Sequence, residues 1–290
     1  LAGAEYTVLP RGERMGTTAV FNASGVDTGR FREYTEANPR TYADWSNASW
    51  GDQETTGKED HLRSPFLEFE FDKAREAGLI SAESRKHLGG SWSALSAAGE
   101  ATNLNLVHMD GYDCTNVEDL TKAEMEGRKL TADAVTALRH GVPGFESSKL
   151  RNYGMTIGVR DTRKIVGRHN LTSDEVRNQA KFADSIGIFP EFIDGYSILI
   201  LPNSGRYFQV PLGCMQPPKL DNLLVAGRAV AGDKASHAAM RNMMACTVTG
   251  QGAGVAAAVS IRTGATTNAV DIRDVQNELA RQGVRGPEEA

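Results

Sequence analysis

The strongest local unit for chemistry in this sequence is built around His237-Ala238-Ala239-Met240-Arg241-Asn242. It follows an apolar stretch closed by Gly227-Arg228 and precedes the small-residue run Gly250-Gln251-Gly252-Ala253-Gly254. A helix opening near Arg241 and Asn242 would turn its first-turn amides and the positive end of its dipole outward, where they could receive an anionic oxygen. Arg241 would add a full charge there; the same arginine also reads as a solvated turn residue paired with Asp233. His237 lies four residues before Arg241, so the two share a face if one helix carries both. Its imidazole titrates near neutrality and could accept a hydroxyl proton, or it could be a structural core residue. Arg160 and Arg163 flank Asp161, where two guanidiniums could clamp a carboxylate or carbonyl. A surface ion-pair cluster would use the same residues.

Other chemistries find less support. His108-Met109-Asp110 and Asp113-Cys114 place possible ligands close together, but no second pair has useful spacing, so no metal is expected. Asn203-Ser204-Gly205 only superficially approaches a nucleophile elbow, and Ser204 reads as a turn residue. Cys114, Cys214 and Cys246 lie far apart without a CxxC, which favours buried thiols, a reducing compartment and a cytoplasmic location. A net charge of -5 with no basic run argues against nucleic acid. The longest apolar runs, around Ile198–Leu201 and Val255–Ile261, fall well short of the roughly 20 residues of a membrane span, so no transmembrane segment is expected.

These residues need elements to hold them, and 290 residues suffice for one large domain or two modest ones. Gly16 to Val26 reads as a strand ending at a glycine turn. Phe66 to Phe71 alternates before a helix over Asp72 to Gly78, and Asn103 to Val107 alternates again as a strand. Thr121-Lys122-Ala123-Glu124 has capping-box spacing and opens a helix that Gly141-Val142-Pro143-Gly144 ends. Met155 to Arg160 reads as a short strand, and Thr172 with Glu175 caps another helix. Tyr196 to Leu201 and Arg206 to Val210 flank Pro202-Asn203-Ser204-Gly205 and predict a hairpin. Asn222 to Arg228 reads as a buried parallel strand, Asn242 to Ser260 as a helix and Asp271 to Leu279 as a last amphipathic helix. Each interior glycine costs a helix about 1 kcal/mol against alanine, so three glycines in five positions point to close backbone approach. Tyr34, Tyr42, Trp45 and Trp50 could form a lid or a partner surface, and Trp45, Trp50, Tyr112, Phe189 and Tyr207 could line an aromatic cavity, or all of them could serve as packing residues.

The run Asp221 to Arg228, then Met240-Arg241-Asn242, then Thr249-Gly250-Gln251-Gly252-Ala253-Gly254-Val255-Ala256-Ala257-Ala258 closely resembles the flavin-contacting end of the FAD-dependent oxidoreductase family. Asp119 to Arg128, Val142 to Phe145 and Gly158 to Arg163 fit it too. The resemblance covers about residues 100–265 well and the first hundred poorly. It implies a mixed α/β fold similar to glutathione reductase, with FAD as cofactor. Carried across, Gly227, Arg228, Asp233, Met240, Arg241 and Asn242 become cofactor contacts, and Arg160 and Arg163 become substrate-pocket residues. His237 and Arg241 are assigned to catalysis, His237 as base on chemical grounds. Residues 1–215 are expected to form mainly the substrate-binding and interface region. Residues 216–265 would be the last strand and helix of the FAD-binding domain, and 266–290 a terminal helix and tail.

Family members open with a strand, Gly-x-Gly-x-x-Gly and a helix, and this sequence contains no such motif. It reads as the middle and C-terminal portion of a longer chain, with an incomplete Rossmann-like FAD-binding domain. The expected remedy is an N-terminal flavin-binding polypeptide carrying the Gly-rich phosphate loop, as a hetero-oligomer. The expected function is a dehydrogenase or oxidase subunit moving a hydride from a small alcohol or amine substrate to FAD. The alternatives are a non-catalytic binding or scaffolding subunit and a flavin-dependent monooxygenase component.

Overall fold

The computed structural model describes residues 2–38, 52–54, 66–67, 69–92, 94–196, 198–203 and 205–285. Tyr42, Trp45, Trp50 and Ser204 lie outside the described residues. In chain order the first half contains β1 (Tyr6–Val8), β2 (Thr17–Ser24), α1 (Thr28–Ala37), β3 (Asp52–Glu54), β4 (Phe66–Leu67), α2 (Phe69–Glu76), α3 (Ala82–Lys86), β5 (Leu88–Ser91), β6 (Ala94–Ser96), β7 (Glu100–Met109) and α4 (Val117–Gly141). The second half adds β8 (Lys149–Tyr153), β9 (Arg163–Ile165), α5 (Ser173–Arg177), β10 (Ser185–Pro190), β11 (Ile193–Gly195), β12 (Ile198–Ile200), β13 (Tyr207–Pro211), α6 (Lys234–Met240), α7 (Met243–Thr263) and α8 (Ile272–Arg281). The chain divides into two compact units, Leu1–Leu9 with Trp50–Thr56 and Thr162–Ala290, and Pro10–Ser49 with Gly57–Asp161.

The Pro10–Asp161 unit is an antiparallel sheet in the order β4-β5-β7-β2-β8, with β6 also paired to β7. Leu130, Ala134 and Leu138 recur at four-residue spacing on α4 and are buried, the apolar stripe that holds a helix on a sheet. Gly127 lets that helix close on the sheet, because a Cβ there would stand 3.1 Å from both Ala19 Cβ and Met109 Cε. Phe31 of α1 meets Phe145 edge-on at 5.0 Å and Trp92 at 5.1 Å, and Tyr34 donates to the buried Glu70 carboxylate at 2.9 Å. The helix expected to open at Thr121 begins four residues earlier. Asn116 Oδ1 accepts from the Glu118 and Asp119 amides, so Thr121 falls inside the helix and donates its hydroxyl back to Val117 O at 2.8 Å. Met155 to Arg160 forms only an isolated bridge, Thr18 to Gly158. The strand in this region is β8.

The other unit pairs β10 with β13 antiparallel, β1 with β9 antiparallel, and joins β11, β12 and β3. Helix α7 packs on β10 and α8, and Val275 and Leu279 are the buried residues of α8. Thr172 and Glu175 form the expected capping box on α5. The expected hairpin across Pro202–Gly205 does not form. Tyr207–Pro211 pairs back to Ser185–Pro190, while Ile198–Ile200 turns on itself to pair with Ile193–Gly195.

The buried parallel strand expected over Asn222 to Arg228 is also absent. Val225 N donates to Met215 O at 2.9 Å and Gly227 N to Thr249 Oγ1 at 3.0 Å, so an irregular, half-exposed stretch ending in the single 3-10 turn Gly227–Ala229 replaces a ladder. This overturns the expectation of an incomplete Rossmann-like domain completed by a partner chain. That expectation needed a buried strand seeking parallel neighbours on both edges. Among the described strands the pairing is antiparallel except for β12 with β3, and each unit buries a core of its own.

Candidate functional site

The helix pair α6–α7 gathers most of the residues singled out above. Asp233 caps α6, accepting from Ser236 N at 2.9 Å through Oδ1, and its Oδ2 accepts from Ser173 N at 2.6 Å. One carboxylate thus satisfies the amides at the starts of both α5 and α6, as an N-cap aspartate does. Ser236 adds a bond from its hydroxyl to Leu171 O at 2.7 Å. With the start of α6 fixed in this way, His237 lies on its buried side, 2% exposed, its ring centroid 6.2 Å from that of Tyr196. Met240 closes the helix and is equally buried.

Arg241 caps the C-terminal end of α6, its amide donating to His237 O at 2.9 Å. The two residues therefore lie one turn apart, as the four-residue spacing implied. Its guanidinium reaches Asp194 rather than Asp233, donating Nε to Asp194 O at 3.1 Å and Nη2 to Oδ2 at 2.8 Å, with a further Nη2 contact to Asp194 O. Asp194 and Gly195 end β11, and Tyr196 follows in the left-handed region at φ 54. Aromatic residues rarely hold that conformation without support from their surroundings. Asp194 and Tyr196 escaped the sequence reading; the Asp-Gly pair ahead of an aromatic was the available signal for a tight turn.

Asn242 stands at the N-cap of α7 but spends its side chain backwards, donating Nδ2 to Ala238 O and Ala239 O at 3.0 and 2.9 Å. The Asn242 side chain makes no cap hydrogen bond to the first turn of α7, and Met243 and Met244 are 86% and 69% exposed there. Gly227 adopts φ +74, with Cys246 Sγ at 3.9 Å the one atom near where a Cβ would stand. Burial pushes the Cys246 thiol up, and the positive charges of Arg228 and Arg241 oppose it. The uncapped helix start, the Arg228 charge and an open glycine, with Arg241 held in its ion pair with Asp194, make a surface suited to a polar, electron-accepting ring edge. These residues fit the isoalloxazine end of FAD.

Arg160 and Arg163 fall in different units. Arg160 stands near enough to His108 to act on its charge, and Arg163 lies over the Tyr6 ring at 5.2 Å. Cys114, Cys214 and Cys246 are all free thiols, and burial, with Asp184 adding to it, pushes Cys214 up to about 12.

A family model described as FAD dependent oxidoreductase matches residues 1–279. No curated protein and no solved structure matches the chain. The span of the family match corrects the expectation that the likeness is confined to the middle and C-terminal portion, because it takes in the first hundred residues as well. It also removes the expected N-terminal partner polypeptide and the hetero-oligomer built on it, whose physical basis was the parallel strand that the Asn222 to Arg228 segment does not form. The chain belongs to the FAD-dependent oxidoreductase family, and its cofactor is FAD.

Proposed function

We propose that the α6–α7 site serves hydride removal from a small alcohol or amine, as in a dehydrogenase or oxidase. The observation that carries this reading is the uncapped start of α7, whose Cys246 stands beside Gly227 and under the influence of the Arg228 and Arg241 charges. FAD supplies the two-electron acceptor. The chain's own contribution is electrostatic: the first-turn amides of α7 and the charges of Arg228 and Arg241 favour the negative charge that an acceptor gains with a hydride. Asp194 holds the Arg241 guanidinium through its carbonyl and carboxylate, so the charge is positioned before substrate arrives. The burial of His237 supports a positioning role, in which its carbonyl anchors the Arg241 amide and its ring packs toward Tyr196.

The test is rapid-reaction absorbance of the FAD-loaded protein with Arg241→Ala and Arg241→Lys. Arg241→Ala should slow flavin bleaching by about 100-fold, the scale of losing one charge-stabilising donor, with a smaller change in substrate affinity. Arg241→Lys should fall between, since it keeps the charge and loses the fork. Bleaching at the unaltered rate in Arg241→Ala would sink the assignment.

A further inference from the structure

A second feature of the first unit shares no residue with the site above. Arg168, Asp184, Leu212, Asn268, Val270 and Ile272 help to line a half-open cleft of about 290 Å³, near the lower end of the roughly 300–1,000 Å³ typical of small-molecule sites. Three polar groups in it are only partly satisfied. Asn268 donates Nδ2 to Pro217 O at 3.0 Å and Leu220 O at 2.6 Å, which fixes its amide orientation. That leaves its Oδ1 buried without a hydrogen-bond partner among the described residues.

The other two groups carry opposite charges. Asp184 commits Oδ2 to the Gly213 amide at 2.8 Å, and its second oxygen has no protein partner among the described residues. Arg168 commits Nη1 to Asn268 O at 2.6 Å, and its remaining N–H groups meet no acceptor among the described residues. The two do not pair with each other among the described residues. A ligand with its own charges reversed in the same order satisfies both. Leu212, Val270 and Ile272 supply apolar wall beside them.

We propose that this cleft binds a small zwitterion of the α-amino-acid class. Its carboxylate sits on the Arg168 guanidinium, its ammonium bonds to Asp184 Oδ1, and a short aliphatic side chain lies against Leu212, Val270 and Ile272. Each end makes a charge-assisted bond, so recognition demands both ends on one molecule.

Titration calorimetry on the full chain would use L-valine and its two single-ended analogues, 3-methylbutanoate without the ammonium and isobutylamine without the carboxylate. L-Valine should bind, and each analogue should bind about tenfold or more weakly. Asp184→Asn keeps the acceptor for the Gly213 amide and removes the charge, so it should lower L-valine affinity about tenfold while leaving 3-methylbutanoate unaffected. Arg168→Gln should weaken both. Unligated melting curves of the two variants check that the fold survives, and if Arg168→Gln unfolds, Asp184→Asn decides alone. Absence of L-valine binding at about 10 mM, or equal affinity for L-valine and either analogue, overturns the proposal. Because the readout is affinity without flavin chemistry, it stands or falls separately from the role of Arg241.

Discussion

At position 108 a histidine in β7 lies across from Thr18 of β2, and its environment opposes protonation. Burial and the nearby Arg160 lower its pKa from 6.5 to about 4, overcoming the Asn105 and Gly89 carbonyls that favour the charged ring. The folded chain therefore excludes a proton that the unfolded chain binds between pH 6.5 and about 4. Stability from this residue is fully present above the unfolded value and is lost as pH falls through that window, by up to about 3 kcal/mol. Thermal melts from pH 7 to 4 should show this slope, and His108→Gln, which can still donate to those carbonyls, should flatten it. An unchanged slope would assign the acid sensitivity elsewhere. The histidine that the sequence singled out, His237, lies in the core beside Tyr196, whereas His108 had been weighed only as a metal ligand.

The three closely spaced glycines of α7 separate into two kinds at the scale of the element. A Cβ on Gly252 would collide with the Ile186 side chain of β10, standing 3.1 Å from its Cβ. Gly252→Ala should therefore cost about 1–3 kcal/mol through overpacking. Gly250 and Gly254 have nothing within 4 Å, so alanine at either should stabilise the helix by about 0.5–1 kcal/mol. Denaturant melts of the three single variants check the sign at each position. Close backbone approach was legible in the glycine spacing, but which glycine meets the sheet was not, because that depends on the face α7 turns to β10. Helix α7 is also the one helix among the described residues with the length and apolarity to cross a membrane. It packs one face on β10 and α8 and leaves the other exposed. α1 went unread because it buries only Phe31 and Thr35 on an otherwise polar surface, although its Asp27 N-cap stood in the sequence.

At the scale of the whole molecule, two units carry separate cores, and chains of that kind commonly depart from two-state unfolding. The calorimetric enthalpy should exceed the van't Hoff enthalpy of the same transition. Equality of the two would show that both units melt as one. Hydrogen exchange offers a check local to the first unit, where FAD should slow exchange of the Met243 to Ala245 amides if the uncapped start of α7 receives it.

The sequence by itself determined features that depend on neighbours along the chain: the Thr172–Glu175 capping box, the end of α4 at Gly141, the long helix after Asn242, and the family likeness around Gly227 to Asn242. His237 and Arg241 sit one turn apart because four residues of helix separate them. Tertiary structure decided what depends on distant partners. Tyr207–Pro211 pairs with β10 across more than a turn's reach, and Arg241 reaches Asp194 instead of the nearer Asp233, which is already occupied capping two helices. The Asn222 to Arg228 run is as apolar as a central strand, yet its amides bond to Met215 O and Thr249 Oγ1. Apolarity marks a segment for contact with the core, and the choice between ladder and irregular backbone falls to whichever donors and acceptors the fold brings alongside it.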